Sequence, residues 1–356
     1  MPVDKHRFSF FHSHPGTRDL MIFCRQFAAL NNAGITFLRS LQLLGEQTEQ
    51  PVLRERLRAV AAKLERGYLL ADSLAEHGDI FPDILLNMVK AGEEGGVLDT
   101  VLDRLALHFE KQYDLEQKVK AATFYPKFLV GIASLIVIFI LVFVLPNFMG
   151  IFENLGLEIP LLTRLFFTLG RMFITYWYLI MLFLLMSFFF LRKFFQTEQG
   201  AYYYDRLCLN FPFFSSIYRK IMLARFCRTL GTLLDSGMTL LPALSLLKGV
   251  MGNRIVTASI KEVEEGIIQG RSLAENLATA GFFPPMIVEM VHVGEQTGNL
   301  DNLLLKTAQF YEADVSYTIE RLHAMLEPAL ILTIAVMITF IALSVILPMF
   351  EVYQLL

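Results

Sequence analysis

Gly92-Glu93-Glu94-Gly95-Gly96-Val97-Leu98-Asp99 returns at 294–301 as Gly294-Glu295-Gln296-Thr297-Gly298-Asn299-Leu300-Asp301. Two glycines four residues apart, an acid beside the first and a Leu-Asp pair after the second read as a helix end, a tight return and a new helix start. Glycine adopts a left-handed cap without steric cost, and a carboxylate in the first turn of a helix favours its positive end. A turn this specific, present twice, raises the question of how far the duplication extends.

It extends over most of the chain. Phe23-Cys24-Arg25 recurs as Phe226-Cys227-Arg228, and the same offset aligns Gly34 with Gly237, Thr36 with Thr239, Leu41 with Leu244 and Gly67 with Gly270. After a one-residue deletion, Phe81-Pro82 aligns with Phe283-Pro284, Met88-Val89 with Met290-Val291, Pro126 with Pro328 and Pro146 with Pro348. Apolar residues at three- and four-residue spacing predict helices near 18–33, 36–48, 52–66, 70–77, 82–91 and 98–125 in the first copy. In the second copy the pattern predicts 221–236, 239–250, 253–269, 272–280, 285–293 and 300–327. Gly34, Gly67 and Gly92 stand where helices are expected to stop. No segment shows strand alternation, and about 110 residues per copy suffices for a helical core.

Outside the copies the chain is strongly apolar. Of its 356 residues, 54% are hydrophobic, the mean hydropathy is +0.49 and there are 32 Phe. Segments 128–152, 172–191 and 328–350 contain no Asp, Glu, Lys or Arg. Each has at least the roughly 20 residues that a helix needs to cross a hydrocarbon core of about 30 Å, and lipid demands a helix because it cannot satisfy an open backbone. Lys111, Lys118, Lys120 and Lys127 precede the first span, and Arg192, Lys193 and Arg206 follow the second. The positive-inside rule then puts 1–127 and 192–327 in the cytoplasm. Tyr176, Trp177 and Tyr178 fall near the outer end of the second span, where interfacial aromatics belong.

The expected architecture is an all-α, polytopic membrane protein with two repeated cytoplasmic six-helix bundles and three transmembrane helices. Its expected divisions are a tail at 1–17, a first helical domain at 18–125, a span at 126–146, an external loop at 147–171 and a second span at 172–191. A cytoplasmic linker at 192–220, a second helical domain at 221–327, a third span at 328–350 and an external tail at 351–356 complete it. The first twenty residues lack the long apolar run of a signal peptide. Net charge is −3, so bulk electrostatics favours no nucleic acid. Cys24, Cys208 and Cys227 are odd in number and widely spaced, which argues for reduced thiols over a disulfide framework or zinc site. His6, His12 and His14 read as part of a tail without the carboxylates or cysteines of a ligand set.

The duplicated helix opening, the later Phe-Pro and Met-Val pairs, the acidic glycine turn and the Pro-led spans resemble the type II secretion system F family, from about residue 18 to 350. That family includes the platform proteins of type IV pili and competence pseudopili. The resemblance implies a non-enzymatic scaffold in a bacterial inner membrane, multi-pass, with its N-terminus cytoplasmic. It also implies homo-oligomerisation and contact with a cytoplasmic assembly ATPase, with pilin or pseudopilin subunits and with other inner-membrane assembly proteins. Longer members carry more sequence before the first repeat. The copies differ where Glu94-Gly95 becomes Gln296-Thr297 and Tyr125 becomes Glu327, so different partners are expected for each.

The candidate site is the corner formed by Gly92, Glu93, Gly96 and Asp99, with its counterpart Gly294, Glu295, Gly298 and Asp301. Its bland role is structural: Gly92 and Gly294 end helices, while Glu93 and Glu295 accept backbone hydrogen bonds across the loop. Its functional readings are a partner-binding corner, or a weak cation site at Glu93, Glu94 and Asp99. Pro126, Pro146, Pro328 and Pro348 mark the membrane junctions. There proline is expected to kink or break the helix, either as a stiff force-bearing element or as simple punctuation. Arg54, Arg56, Arg58, Lys63 and Arg66 read as a solvated face before a docking patch. No phosphate-binding loop, zinc-protease motif or nucleophile motif occurs, so no cofactor is expected and any nucleotide hydrolysis belongs to another subunit. A transporter or channel is the alternative. Transporter repeats lie within the membrane, however, and these spans hold no ionisable relay.

Overall fold

The computed structural model describes residues 14–139, 161–211 and 215–354. Among them are fourteen helices and no strand. The first copy comprises α1 (Thr17–Asn32), α2 (Phe37–Gln47), α3 (Pro51–Glu65), α4 (Leu70–Ala75), α5 (Asp83–Gly95) and α6 (Leu98–Phe139). Two helices follow, α7 (Leu161–Gln196) and α8 (Glu198–Asn210). The second copy comprises α9 (Ser215–Asp235), α10 (Leu240–Val250), α11 (Arg254–Ile268), α12 (Leu273–Thr279), α13 (Pro285–Thr297) and α14 (Leu300–Gln354).

The chain divides into two compact units. One holds the described parts of Met1–Gln117 and Asp205–Val315; the other holds the described parts of Lys118–Tyr204 and Ser316–Leu356. The first unit contains both copies, and their buried side chains form one continuous core. The repeated Phe-Cys-Arg and Phe-Pro signals meet inside it: Phe23 packs on Phe81 with centroids 5.9 Å apart, and Phe226 on Phe283 at 4.6 Å. Tilted aromatic pairs of this kind add to simple area burial. Cys24 and Cys227, next in sequence to Phe23 and Phe226, are free and buried, and burial pushes both thiols up.

Local chemistry sets the helix ends. Thr36 accepts from the Arg39 amide, and Asn253 accepts from Ile255 and Val256. Each satisfies amides that the first turn leaves unpaired. Gly96 and Gly298 take left-handed backbone, with φ of 68° and 69°, and the amides of Val97 and Asn299 reach back to the carbonyls of Gly92 and Gly294. That closure is a Schellman-type helix end.

The structure corrects two expectations. Gly92 and Gly294 do not stop helices. They lie within α5 and α13, which end at Gly95 and Thr297. Their glycine is a matter of space: a Cβ on Gly92 would stand 2.9 Å from Val101 Cγ2, and one on Gly294 2.9 Å from Leu300 Cα. Nor do Pro126 and Pro328 break their helices, since α6 and α14 run on through both. One lost hydrogen bond and one crowded turn are local penalties, and the bonds on either side carry the helix across. Pro348 also lies inside α14. Pro146, most of the expected external loop and the histidines at 6 and 12 fall outside the described residues.

In the second unit, Lys118 Nζ donates to Ser316 Oγ at 2.9 Å, tying α6 to α14. Phe183, Met186 and Phe190 of α7 are about 70% exposed, and α7 departs from helical geometry at Tyr176. The segment Leu98–Ile136 is long and apolar enough to cross a membrane. The described residues of the expected linker are largely helical, and α8 docks its end on the second copy: Asp205 Oδ2 accepts from the Arg254 amide at 2.9 Å, and Leu209 is buried.

Candidate functional site

The corner between α5 and α6 places its residues in three distinct situations. Gly92 is buried against α6. Glu93 turns away from its own loop and caps another helix: Oε1 accepts from the Leu70 amide at 2.8 Å and Oε2 from the Ala71 amide at 2.9 Å. Glu94, Gly96 and Asp99 are exposed. The second copy repeats the cap, with Leu273 N donating to Glu295 Oε1 at 2.7 Å and Ala274 N to Oε2 at 3.1 Å. A carboxylate bridging two first-turn amides makes charge-assisted hydrogen bonds and meets the positive helix end. The bonds therefore reach across the domain, to α4 and α12, and not across the glycine loop.

The two corners differ in reserve. α12 carries its own capping box, in which Ser272 accepts from Glu275 N and Glu275 accepts from Ser272 N. The N-cap position of α4 is Leu69, whose side chain caps nothing, so Glu93 is its side-chain cap. In the first copy, Glu93, Gly96 and Asp99 also line an open cleft of about 700 Å³ with Asn31, Thr36 and Leu64. Among the described residues no group of three His, Cys, Asp or Glu side chains is placed to hold a metal ion.

Three basic residues of α3 make contacts within the domain. Arg58 Nε donates to the Gly45 carbonyl at 2.9 Å, Arg56 lies 3.8 Å from Asp79, and Lys63 pairs with Glu76.

Sequence reasoning did not find the joint between the copies. α5 packs on α10. Arg104 of α6 grips the end of α9: Nη2 donates to Asp235 Oδ1 at 3.0 Å, Nε lies 2.6 Å from Oδ2, and Nη1 reaches the Asp235 carbonyl. Deeper in, Arg228 makes a bidentate pair with Glu312, both bonds 2.8 Å, and Arg228 is 6% exposed. His108 of α6 is buried with neither ring nitrogen hydrogen-bonded. Burial, with Arg228 and then Arg225 nearby, lowers it to about 4, so it sits there as a neutral ring edge-on to Phe109. Arg228 belonged to a repeated motif, but nothing local marked Glu312 or His108 as its neighbours, or Asp235 as the partner of Arg104.

Duplicated helical domains, each feeding a long helix that continues into apolar sequence, define a class of membrane-associated scaffold. The sequence profile of the type II secretion system (T2SS), protein F, matches the chain twice, over 23–146 and 226–348. The chain belongs to that family. It is 38% identical to the type IV pilus assembly protein PilC of Thermus thermophilus, over 95% of this chain and 83% of that one. Identity to the type IV pilus assembly protein PilC of Myxococcus xanthus is 34%, covering 94% and 80%. Identity to the type II secretion system protein F of Vibrio cholerae is 33%, covering 95% and 84%. The two family matches start 203 residues apart and end 202 apart, in step with the offsets of the internal repeat.

Proposed function

We propose that this chain is the inner-membrane platform of a type IV pilus or type II secretion-like assembly machine, coupling a separate cytoplasmic ATPase to the polymerisation of pilin or pseudopilin subunits. The observation that carries this reading is the double family match, each half running from a helical domain into one long helix. In this reading 126–146, 172–191 and 328–350 cross the bilayer, 18–125 and 221–327 are cytoplasmic, and the chain works as a homo-oligomer. α6 and α14 are then continuous rods from the acidic corners into the spans. Their continuity through Pro126 and Pro328 favours the stiff, force-bearing view of these junctions over simple punctuation. Exposed Glu94 and Asp99 offer the first-copy corner as a contact for machine components.

Deleting the gene is expected to abolish surface filaments or secretion, with recovery on complementation by the intact chain. Unchanged filaments and secretion in the deletion strain would remove the assembly role. Membrane-impermeant thiol labelling of cysteines placed at 50 and 250 tests the topology separately. Both should be protected in intact cells and labelled in inverted vesicles.

A further inference from the structure

The joint between the two copies is asymmetric, and that asymmetry leaves two surfaces open. Copy 1 contributes the outward face of α6, and copy 2 contributes the outward face of α9. Met222, Thr229 and Thr232 of α9 are consequently buried, whereas of their repeat counterparts on α1, Gln26 and Ala29 are exposed and Asp19 is half-buried. The same holds in reverse for the long helices. His108 is 3% exposed in the joint, and its counterpart Phe310 on α14 is 49% exposed. Arg104 is paired across the joint, and its counterpart Lys306 is exposed. An isologous contact would use both sets of faces; this one uses one of each, which makes it head-to-tail.

Resting on the homo-oligomer reading above, we infer that a second copy of this chain continues the joint, with the Lys306–Phe310 face of α14 seated on the open face of α1 of its neighbour. The chemistry of the two open faces is matched. Where Arg104 finds Asp235, Lys306 would meet Asn32, the counterpart of Asp235. Asn32 donates to Asp103 at 2.9 and 3.0 Å, so a carboxylate is still present at that point. Where His108 lies beside Arg225 and Arg228, Phe310 would lie over Ile22 and Arg25. Ile22 is 37% exposed, and an aromatic ring suits both an apolar side chain and a guanidinium face. Copy 2 fills the space beside α10 with Arg225, whose Nη1 reaches the Val250 and Met251 carbonyls. Copy 1 has Ile22 there and keeps an open groove of about 300 Å³, room for a neighbour's side chains. Exposed aromatics at a central position are the residues that carry most binding energy at protein interfaces.

The test uses the full chain in detergent, in a Cys208→Ser background that leaves only the two buried thiols. Chains carrying Asn32→Cys and chains carrying Lys306→Cys, differently tagged, are mixed and oxidised, and molar mass is followed by light scattering with and without Phe310→Ala. The expected result is a mixed 32–306 crosslink in preference to like-with-like products, and self-association weakened about tenfold by Phe310→Ala. Oligomers that crosslink only like with like, or whose association ignores Phe310→Ala, would overturn the head-to-tail surface and leave the homo-oligomer reading standing. A chain that stays monomeric across the concentration range would overturn both.

Discussion

His108 carries a consequence for acid stability that its neighbours dictate. Its folded form is held near 4, against an ordinary 6.5, chiefly by burial. Between those values the unfolded chain binds a proton that the folded chain refuses, so stability falls as pH drops from about 6.5 through 4. The loss amounts to roughly 3 kcal/mol when complete. His108→Phe copies the residue at the equivalent point of the second repeat. It should flatten the fall in thermal midpoint between pH 6.5 and 4 while leaving neutral-pH stability unchanged or improved. An unaltered pH profile would show that His108 is hydrated in solution. Nothing in the local sequence announced this residue, because its environment is made by helices more than a hundred positions away.

At the scale of elements, the same carboxylate does the same work twice with different backing. Glu93→Ala removes the side-chain cap of α4, whereas Glu295→Ala leaves α12 its Ser272–Glu275 box. Losing a helix N-cap costs about 1–2 kcal/mol, so Glu93→Ala should lower the thermal midpoint by several degrees and Glu295→Ala by less than half as much. Equal losses would mean that the box adds nothing. The acidic turn was legible as a repeated motif, and Gly96 and Gly298 as its return, but the left-handed cap was read one turn early, at Gly92, and stands at Gly96. The target of the acid was not legible, since amides about 22 residues upstream become neighbours only after α4 and α5 pack. Gly92 was misread for a related reason. A glycine before a turn looks like a helix stop, and only the approach of α6 reveals that the missing side chain makes room for Val101.

For the whole molecule, the Arg104–Asp235 contact joins two domains that share one core. Both side chains are about 30% exposed, so screening limits the pair to about 1–2 kcal/mol. Arg104→Glu and Asp235→Arg should each lower the thermal midpoint, and the double variant should recover at least half of the summed loss. Purely additive losses would assign the joint to its apolar contacts alone. Duplication, helical class, glycine-capped ends and apolar segments were all determined by sequence, because hydrophobic periodicity and backbone preference act within a few residues. Which face of each helix is covered, where Glu93 and Arg104 reach, and why two related domains present different surfaces were decided only by tertiary structure. Those outcomes depend on packing between distant segments, where the same face of a repeated helix is covered in one copy and open in the other.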